Sequence, residues 1–481
     1  MKLFFTLLIL SVFLMTTSGY CAQKEWTFMV FLNADNNLDS AGVDDLEEMQ
    51  KVGSDSNINV VVQIDREHSG TKRLYVNKGT STLLENMGEV DMGNWKNLVS
   101  FVKFSIEKYP AKKYALVIWN HGSGWKTPVP VFKGISYDDT NGTNIETGEL
   151  GLAMAQIKTL IGKEIDILGF DACLMNMLEV CYEVKDSVSY VVGSEETEPG
   201  DGWPYNTVLG ELSKAPKMKA AQFAYKIVKK YISSYYALGL VVSVTQSAVN
   251  CKALRYTAKI FDEVSEILIK KFYSNKNMLF ETYAEVQKFV YKDYVSLFHL
   301  VDLIAKKTND VELKAKLKSL KNVESLVVLK NGKFGFKTTK ARGLSIYFPG
   351  PEMYYYSFYK NLSFSKVCRW GTLLSMLHKK YFVQFYKKLL SEYDPGTVNS
   401  KDFLHRINGY GEYLQNEVQN GDHENAVRLL DYLADSDLRE LELSRPLYPV
   451  LSEVLRGYLV NKSLDMFSKK KYTKLLREIS R

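Results

Sequence analysis

From Lys24 to about Gly210 the chain alternates short apolar runs with amphipathic stretches, and this alternation restricts the fold more than any other feature. The runs are WTFMVFLNA (26–34), INVVVQID (58–65), YALVIWN (114–120), IDILGFDA (165–172) and SYVVGSEE (189–196). Each has the length and the β-branched and aromatic content of a buried strand. Between them lie helix-like segments. One starts at a cap on Asp39 or Ser40 and stops at Gly53. A second, Asn94–Tyr109, carries Trp95, Leu98, Val99, Val102 and Ile106 near helical spacing. A third runs from Thr147 to Ile161, and LMNMLEVCYEVKD follows the fourth strand directly. KRLYVNK and STLLENMG read as a small excursion. Strands apolar on both faces need cover on both faces. The expected class is therefore α/β, a mostly parallel sheet flanked by helices on both sides.

Beyond Pro216 the pattern changes. Residues 217–236 read as a helix, GLVVSVTQ (239–246) as a strand, and 251–330 as mainly amphipathic helices. GLSIYFP (343–349) reads as a late strand. From 351 to 481 the chain is helix-rich, with a linker expected at DPGTVNSKD (394–402). The division expected is 1–22, 24–350 and 351–481. With 46% hydrophobic and 24% charged residues over 481 positions, a large core is feasible and global disorder is excluded. A net charge of +7 spread over scattered lysines does not suit a nucleic-acid binder.

Residues 1–22 open with a lysine, continue through an apolar stretch from Leu3 to Met15, and end in small and polar residues. That is a bacterial-type export signal, too short to span a bilayer comfortably, so the expected location is secreted or cell-envelope associated. Cys21 admits lipid attachment, although Tyr20 stands where a small residue is expected; otherwise the cysteine is discarded or free. No other run of 18 apolar residues occurs, so no membrane span is expected. The five cysteines are widely spaced, which suits thiols rather than a disulfide framework, and metal-type CxxC spacing is absent.

In a parallel sheet, ligands bind beyond the carboxyl ends of the strands. The third apolar run ends at NHG and the fourth at DAC, so His121 and Cys173, 52 residues apart, should open on one edge. A thiol beside an imidazole can be deprotonated to a strong nucleophile. A helix starting directly after Cys173 would favour the thiolate. The N–H groups of Gly122 and Cys173 could together hold an oxyanion. Taken singly, the cysteine reads as a small buried hydrophobe and the histidine as a surface or capping residue. The pair, both at strand ends, points to catalysis. His68, His299, His378, His405 and His423 have no comparable setting.

NHGSGW (120–125) and DACLMNMLEV (171–180) resemble the histidine and cysteine motifs of the clostripain family of cysteine peptidases, which shares a caspase-like fold. WTFMVFLNADNNLD, GISYDD (134–139), EPGDGWPY (198–205) and GLSIYFP also resemble family segments, and the likeness covers roughly residues 25–350. It implies a cysteine endopeptidase with His121 as general base and Cys173 as nucleophile, acting on protein or peptide substrates with Arg or Lys before the cleaved bond. Such a preference needs a negative pocket. Asp171 and Asp201 match family positions; their other readings are a capping carboxylate and a β-turn residue. The family is often cut within the loop between the two motifs. Lys126 and Lys133 lie there, and Lys133, before Gly134, is the candidate bond, the alternative being an uncut loop. No cofactor is required, but calcium is a candidate, with oxygen ligands at Asp35, Asn36, Asn37 and Asp39 or at Asp138, Asp139 and Asn141, neither run having EF-hand spacing. A cell-surface binding protein on the same scaffold is the alternative to an enzyme.

Overall fold

A computed structural model describes residues 23–126, 134–238, 242–351, 353, 355–378, 382–391, 407–411 and much of 414–479. The leader with Cys21, the loop residue Lys133 and the 394–402 linker lie outside the described residues.

Nine strands form the main sheet: β1 (Lys24–Ala34), β2 (Ile58–Arg66), β3 (Thr71–Asn77), β4 (Thr80–Gly88), β5 (Ala111–Trp119), β8 (Ile165–Asp171), β9 (Val188–Gly193), β10 (Val244–Asn250) and β12 (Val328–Phe334). Two small ribbons, β6 (Ile135–Asp138) with β7 (Thr143–Ile145) and β11 (Tyr294–Ser296) with β13 (Ser345–Tyr347), complete the strands. The spatial order is β12-β10-β9-β8-β5-β1-β2-β3-β4. The five apolar runs make its parallel centre, β9-β8-β5-β1-β2. The edges are antiparallel. The excursion at KRLYVNK and STLLENMG is thus the β3–β4 hairpin that extends one edge.

Side chains along β1 alternate between two cores, as strand geometry requires. Met29 and Phe31 face one core with Leu98, Phe101 and Val102 of α2 (Trp95–Lys108) and Ile157 of α3 (Thr147–Ile161). Trp26, Phe28, Val30 and Leu32 face the other with Met49 of α1 (Asp39–Gln50), Leu209 of α5 (Tyr205–Lys214) and Phe223 and Ile227 of α6 (Ala220–Ala237). A one-residue slip would exchange the two sets, so the register is strongly specified.

Three expectations are corrected. The helix after the cysteine, α4, spans only Leu178–Val184. The strand expected at 239–246 forms at Val244–Asn250 instead. The two share Val244–Gln246; the end that was not expected, Ser247–Asn250, pairs with β9, and Ser247 bonds the Asn331 side chain (3.1 Å). The late strand GLSIYFP contributes only Ser345–Tyr347 and pairs outside the main sheet.

The expected helices after 250 are α7 (Leu254–Lys270), α8 (Phe272–Glu285), α9 (Leu297–Lys307) and α10 (Val311–Val327). The helix-rich C-terminal region begins with α11 (Trp370–His378). It is tied to what precedes it: Trp370 donates to the Tyr347 carbonyl (2.8 Å) and Arg369 pairs with Asp262 (2.6 Å). Among the described residues no helix is long and apolar enough to cross a membrane.

Candidate active site

The parallel pairing of β5 with β8 sets Trp119 opposite Asp171. His121 and Cys173 are each the second residue beyond that pair, so the register delivers both to one rim. They line the same narrow cleft, of about 90 Å³, with Leu38, Asn120, Asp171 and Glu198. Asn120 fixes the histidine turn. Its side chain donates to the Asn33 carbonyl (2.6 Å) and accepts from the Tyr137 N–H (2.8 Å), while its own N–H reaches the Asp171 carbonyl (3.2 Å). Gly122 is required by proximity: a Cβ there would stand 2.3 Å from the Cys173 carbonyl oxygen.

His121 Nε2 lies 2.7 Å from Asn37 Oδ1. An amide oxygen only accepts, so Nε2 carries the proton and Nδ1 is the basic nitrogen. Burial lowers the imidazole pKa, with Asp139 opposing. The Cys173 sulfur accepts the Glu198 N–H (3.2 Å). Burial raises the thiol pKa, and Glu196 and Asp171 add to the rise. At neutral pH the resting pair is therefore a neutral thiol and a neutral imidazole. The expected dipole effect is not available, because α4 starts five residues beyond the cysteine and is only seven residues long. Leu174 intervenes, held at φ 65 with its N–H on the Glu196 carbonyl (3.1 Å). A left-handed leucine is costly and marks a turn that the surroundings enforce.

Beneath the cleft three carboxyl groups crowd together. Asp171 accepts from Tyr205 Oη (2.8 Å) and the Trp203 N–H (3.2 Å). Asp45 accepts from Trp119 Nε1 (2.6 Å). Gly202, at φ 52, lies over both: a Cβ there would be 3.1 Å from Asp171 and 3.2 Å from Asp45. Glu198 contacts Asp171 and Gln246. Burial, reinforced by mutual repulsion, raises Asp45 to about 9 and Glu198 well above the carboxylate range. Burial raises Asp171 to about 6, with Tyr205 and Trp203 opposing. Among the described residues no lysine or arginine pairs with any of the three; the acids near them in sequence that do carry a cation are Glu48, with Lys51, and Asp166, with Lys163. Asp201 does not share this setting. It is exposed at the turn and absent from the cleft lining. The PGDGW segment contributes Gly202 and the Trp203 N–H rather than its own carboxylate. Asp45 was missed because nothing in its local sequence distinguishes it from other helix acids; Glu198, first residue of EPGDGWPY, stood in a segment singled out by the sequence but was passed over for Asp201.

Of the loop lysines, Lys126 is buried. Its Nζ meets Asp293 at 2.5 Å, 4.5 Å from the Tyr356 ring centroid.

The two runs of oxygen ligands meet at a second place. Asp35 and Asp138 join Asp65 and Glu89, which sequence reasoning did not select, with ligand oxygens within 4.8 Å of one another. Asp35 Oδ1 and Asp65 Oδ2 are buried without a hydrogen-bond partner. Burial, with repulsion from Glu89, Asp138 and Asp35, raises Asp65 to about 7. Asp39 is elsewhere, paired with Arg66 (2.6 Å), and Asn141 supports Asp138 (3.0 Å). Asn37 is taken by His121.

Residues 30–377 match the sequence model of the clostripain family. Clostripain of Hathewaya histolytica is 27% identical over 225 residues, covering 40% of this chain and 42% of the relative. The match thus spans less than half of that relative's length. Two solved structures share the fold at 20% identity and a TM-score of 0.57, each covering 72% of this chain and 99% of its own: a secreted C11 cysteine protease of Bacteroides thetaiotaomicron in complex with an irreversible peptide inhibitor, and an inactive zymogen C11 protease of Parabacteroides distasonis.

Proposed function

The chain belongs to the clostripain family, and on that premise we propose that it is an exported cysteine endopeptidase cleaving peptide bonds after Arg or Lys. The observation that carries this reading is the cleft itself: a thiol and an imidazole on one rim, above buried carboxyls that lack a cation. A guanidinium or ammonium entering there would meet Asp171 and Glu198 and draw their protons off, so the substrate's own charge would offset the cost of burying theirs.

Cys173 is the nucleophile. As its sulfur bonds to the scissile carbonyl carbon, His121 Nδ1 takes the thiol proton and later hands it to the leaving amine; water then hydrolyses the thioester. The N–H groups of Gly122 and Cys173 are assigned to the developing oxyanion. In the resting arrangement each reactive group is held by another residue, His121 by Asn37 and the sulfur by Glu198. That supports an activation step, for which the bond after Lys133 remains our candidate. Calcium belongs to the same proposal. The cluster of Asp35, Asp65, Glu89 and Asp138 offers hard oxygen donors, two of them unpartnered, and it adjoins the histidine turn through the Tyr137 carbonyl, which accepts from both Asn36 (2.9 Å) and Asn120 (3.0 Å). Calcium should raise the melting temperature, and chelation should reverse the rise.

The deciding experiment is hydrolysis of fluorogenic peptides ending in Arg, Lys or a neutral residue, by wild type and Cys173→Ala, with and without cleavage after Lys133. No turnover by any wild-type form rejects the reading, and equal turnover by Cys173→Ala rejects the nucleophile.

A further inference from the structure

Glu198 and Pro199 wall two cavities. One is the catalytic cleft; the other is a groove of about 800 Å³ on the far side of the same segment. Lys288, Phe289, Val290, Lys292, Phe336 and Lys337 line it. Phe289 is its buried floor, whereas Phe336 is 70% and Val290 45% exposed. Large apolar side chains left this open beside charged ones are characteristic of a contact surface.

The charge of the groove is one-sided. Its two carboxylates turn inward: Glu196 accepts the N–H groups of Thr197 (2.9 Å) and Val290 (3.1 Å), and Glu198 faces Asp171. The lysines have no carboxylate partner among the described residues. Nearby acids are already taken, Asp293 by Lys126 and Glu285 by Lys307. No salt bridge among the described residues includes Lys288, Lys292 or Lys337. Lys288 Nζ rests on the Ala284 carbonyl (3.1 Å) and over the Tyr283 ring, and Lys337 Nζ stands 5.9 Å from the Phe336 ring centroid. Carbonyls and ring faces offset a positive charge only in part.

A cleft of buried carboxyls and a positive, partly apolar groove thus share one wall. We infer that the groove receives the substrate segment adjoining the scissile bond and selects for acidic residues accompanied by an apolar one. This rests on the peptidase reading and extends it: the preferred substrate carries a basic residue at the cut and a carboxylate a few positions away. An extended peptide advances about 3.3 Å per residue, so a side chain two to five positions from the basic residue can reach past the wall. The groove is a specificity-determining surface and takes no part in the chemistry.

The test uses one peptide series with a fixed Arg and Asp, Asn or Lys placed two to five positions before or after it. Turnover is measured with wild type, and binding of the same labelled peptides with Cys173→Ala by fluorescence anisotropy. The expected result is a preference for Asp over Asn of roughly three- to tenfold on one side of the Arg, the size of one or two exposed charge pairs. It should reside in KM rather than kcat, shrink in high salt, and invert in Lys292→Glu/Lys337→Glu. Both positions are exposed, so that variant is expected to fold. Equal binding of the Asp, Asn and Lys series, or an Asp preference unaltered by the double reversal, overturns the inference. If no peptide is hydrolysed, the peptidase reading fails, and the anisotropy ranking still decides the groove.

Discussion

Two buried acidic places in this molecule differ in one respect. Asp293 is 2% exposed and meets Lys126, itself 3% exposed, at 2.5 Å within a box of Tyr294, Tyr347 and Tyr356. Asp45, Asp171 and Glu198 are also sequestered but have only neutral donors and one another. Burying an ion without a partner is costly, and burial raises Asp45 and Glu198, as it raises Glu179 and Glu195 elsewhere in the fold, where Asp293 is instead given a cation. The first pair is thus internal to the structure, while the trio, in the reading proposed above, is the place that a cation arriving from outside would fill.

The sharpest way to break the comparison is at the sulfur. Cys173→Ala should lower turnover of Arg peptides by roughly 10⁴-fold or more with the thermal transition unchanged; comparable turnover would detach the acidic cleft from catalysis. Next is the internal pair. Lys126→Met strands Asp293 in an aromatic box and should destabilise by about 3–5 kcal/mol in denaturant titration. Asp171→Asn should do the opposite for stability, held or raised at neutral pH, and should lose kcat/KM for Arg by roughly 10²-fold, about 2.7 kcal/mol. Equal destabilisation by the two substitutions would erase the distinction.

A pH experiment resolves it further. Asp45 is raised to about 9, so the folded state keeps a proton that the unfolded chain loses near pH 4. Its contribution is fully present below the unfolded value and is lost as pH rises toward 9. Asp45→Asn can still accept from Trp119 Nε1 and removes that loss, so its melting temperature should exceed wild type increasingly from pH 5 to 9. The smallest effect concerns His121. Its pKa is lowered by burial, which places the acid limb of kcat/KM below the ordinary histidine range. Asn37→Asp sets a carboxylate against Nε2–H and should move that limb upward. No movement would show that Asn37 does not orient the working imidazole.

Much of this was legible in the residues. The five apolar runs became the parallel centre, because strands covered on both faces can hardly be anything else. The placement of His121 and Cys173 followed from their positions just past two neighbouring strands. Short-range chemistry was less readable. A helix start was expected at Cys173, but Leu174 at φ 65 belongs to a turn enforced from outside, by the Glu196 carbonyl. The end of strand β10 at Ser247–Asn250 was not expected because its partners are remote in sequence, the Asn331 side chain for Ser247 and strand β9 for the backbone. Asp201 was expected in the pocket, yet it is exposed, and it is the backbone of its neighbours Gly202 and Trp203 that lies against Asp171.

The sequence alone determined the class of fold, the rim on which the reactive pair stands, and the kinship of its motifs, because apolar periodicity and strand order are local properties that a chain carries along its length. Only the tertiary structure decided which carboxylates share the cleft, that Asp35 and Asp138 meet Asp65 and Glu89, and that lysines from two separate segments line one groove. Burial and charge act through space over a few ångströms, and spacing along the chain does not encode which distant groups will fall within that range.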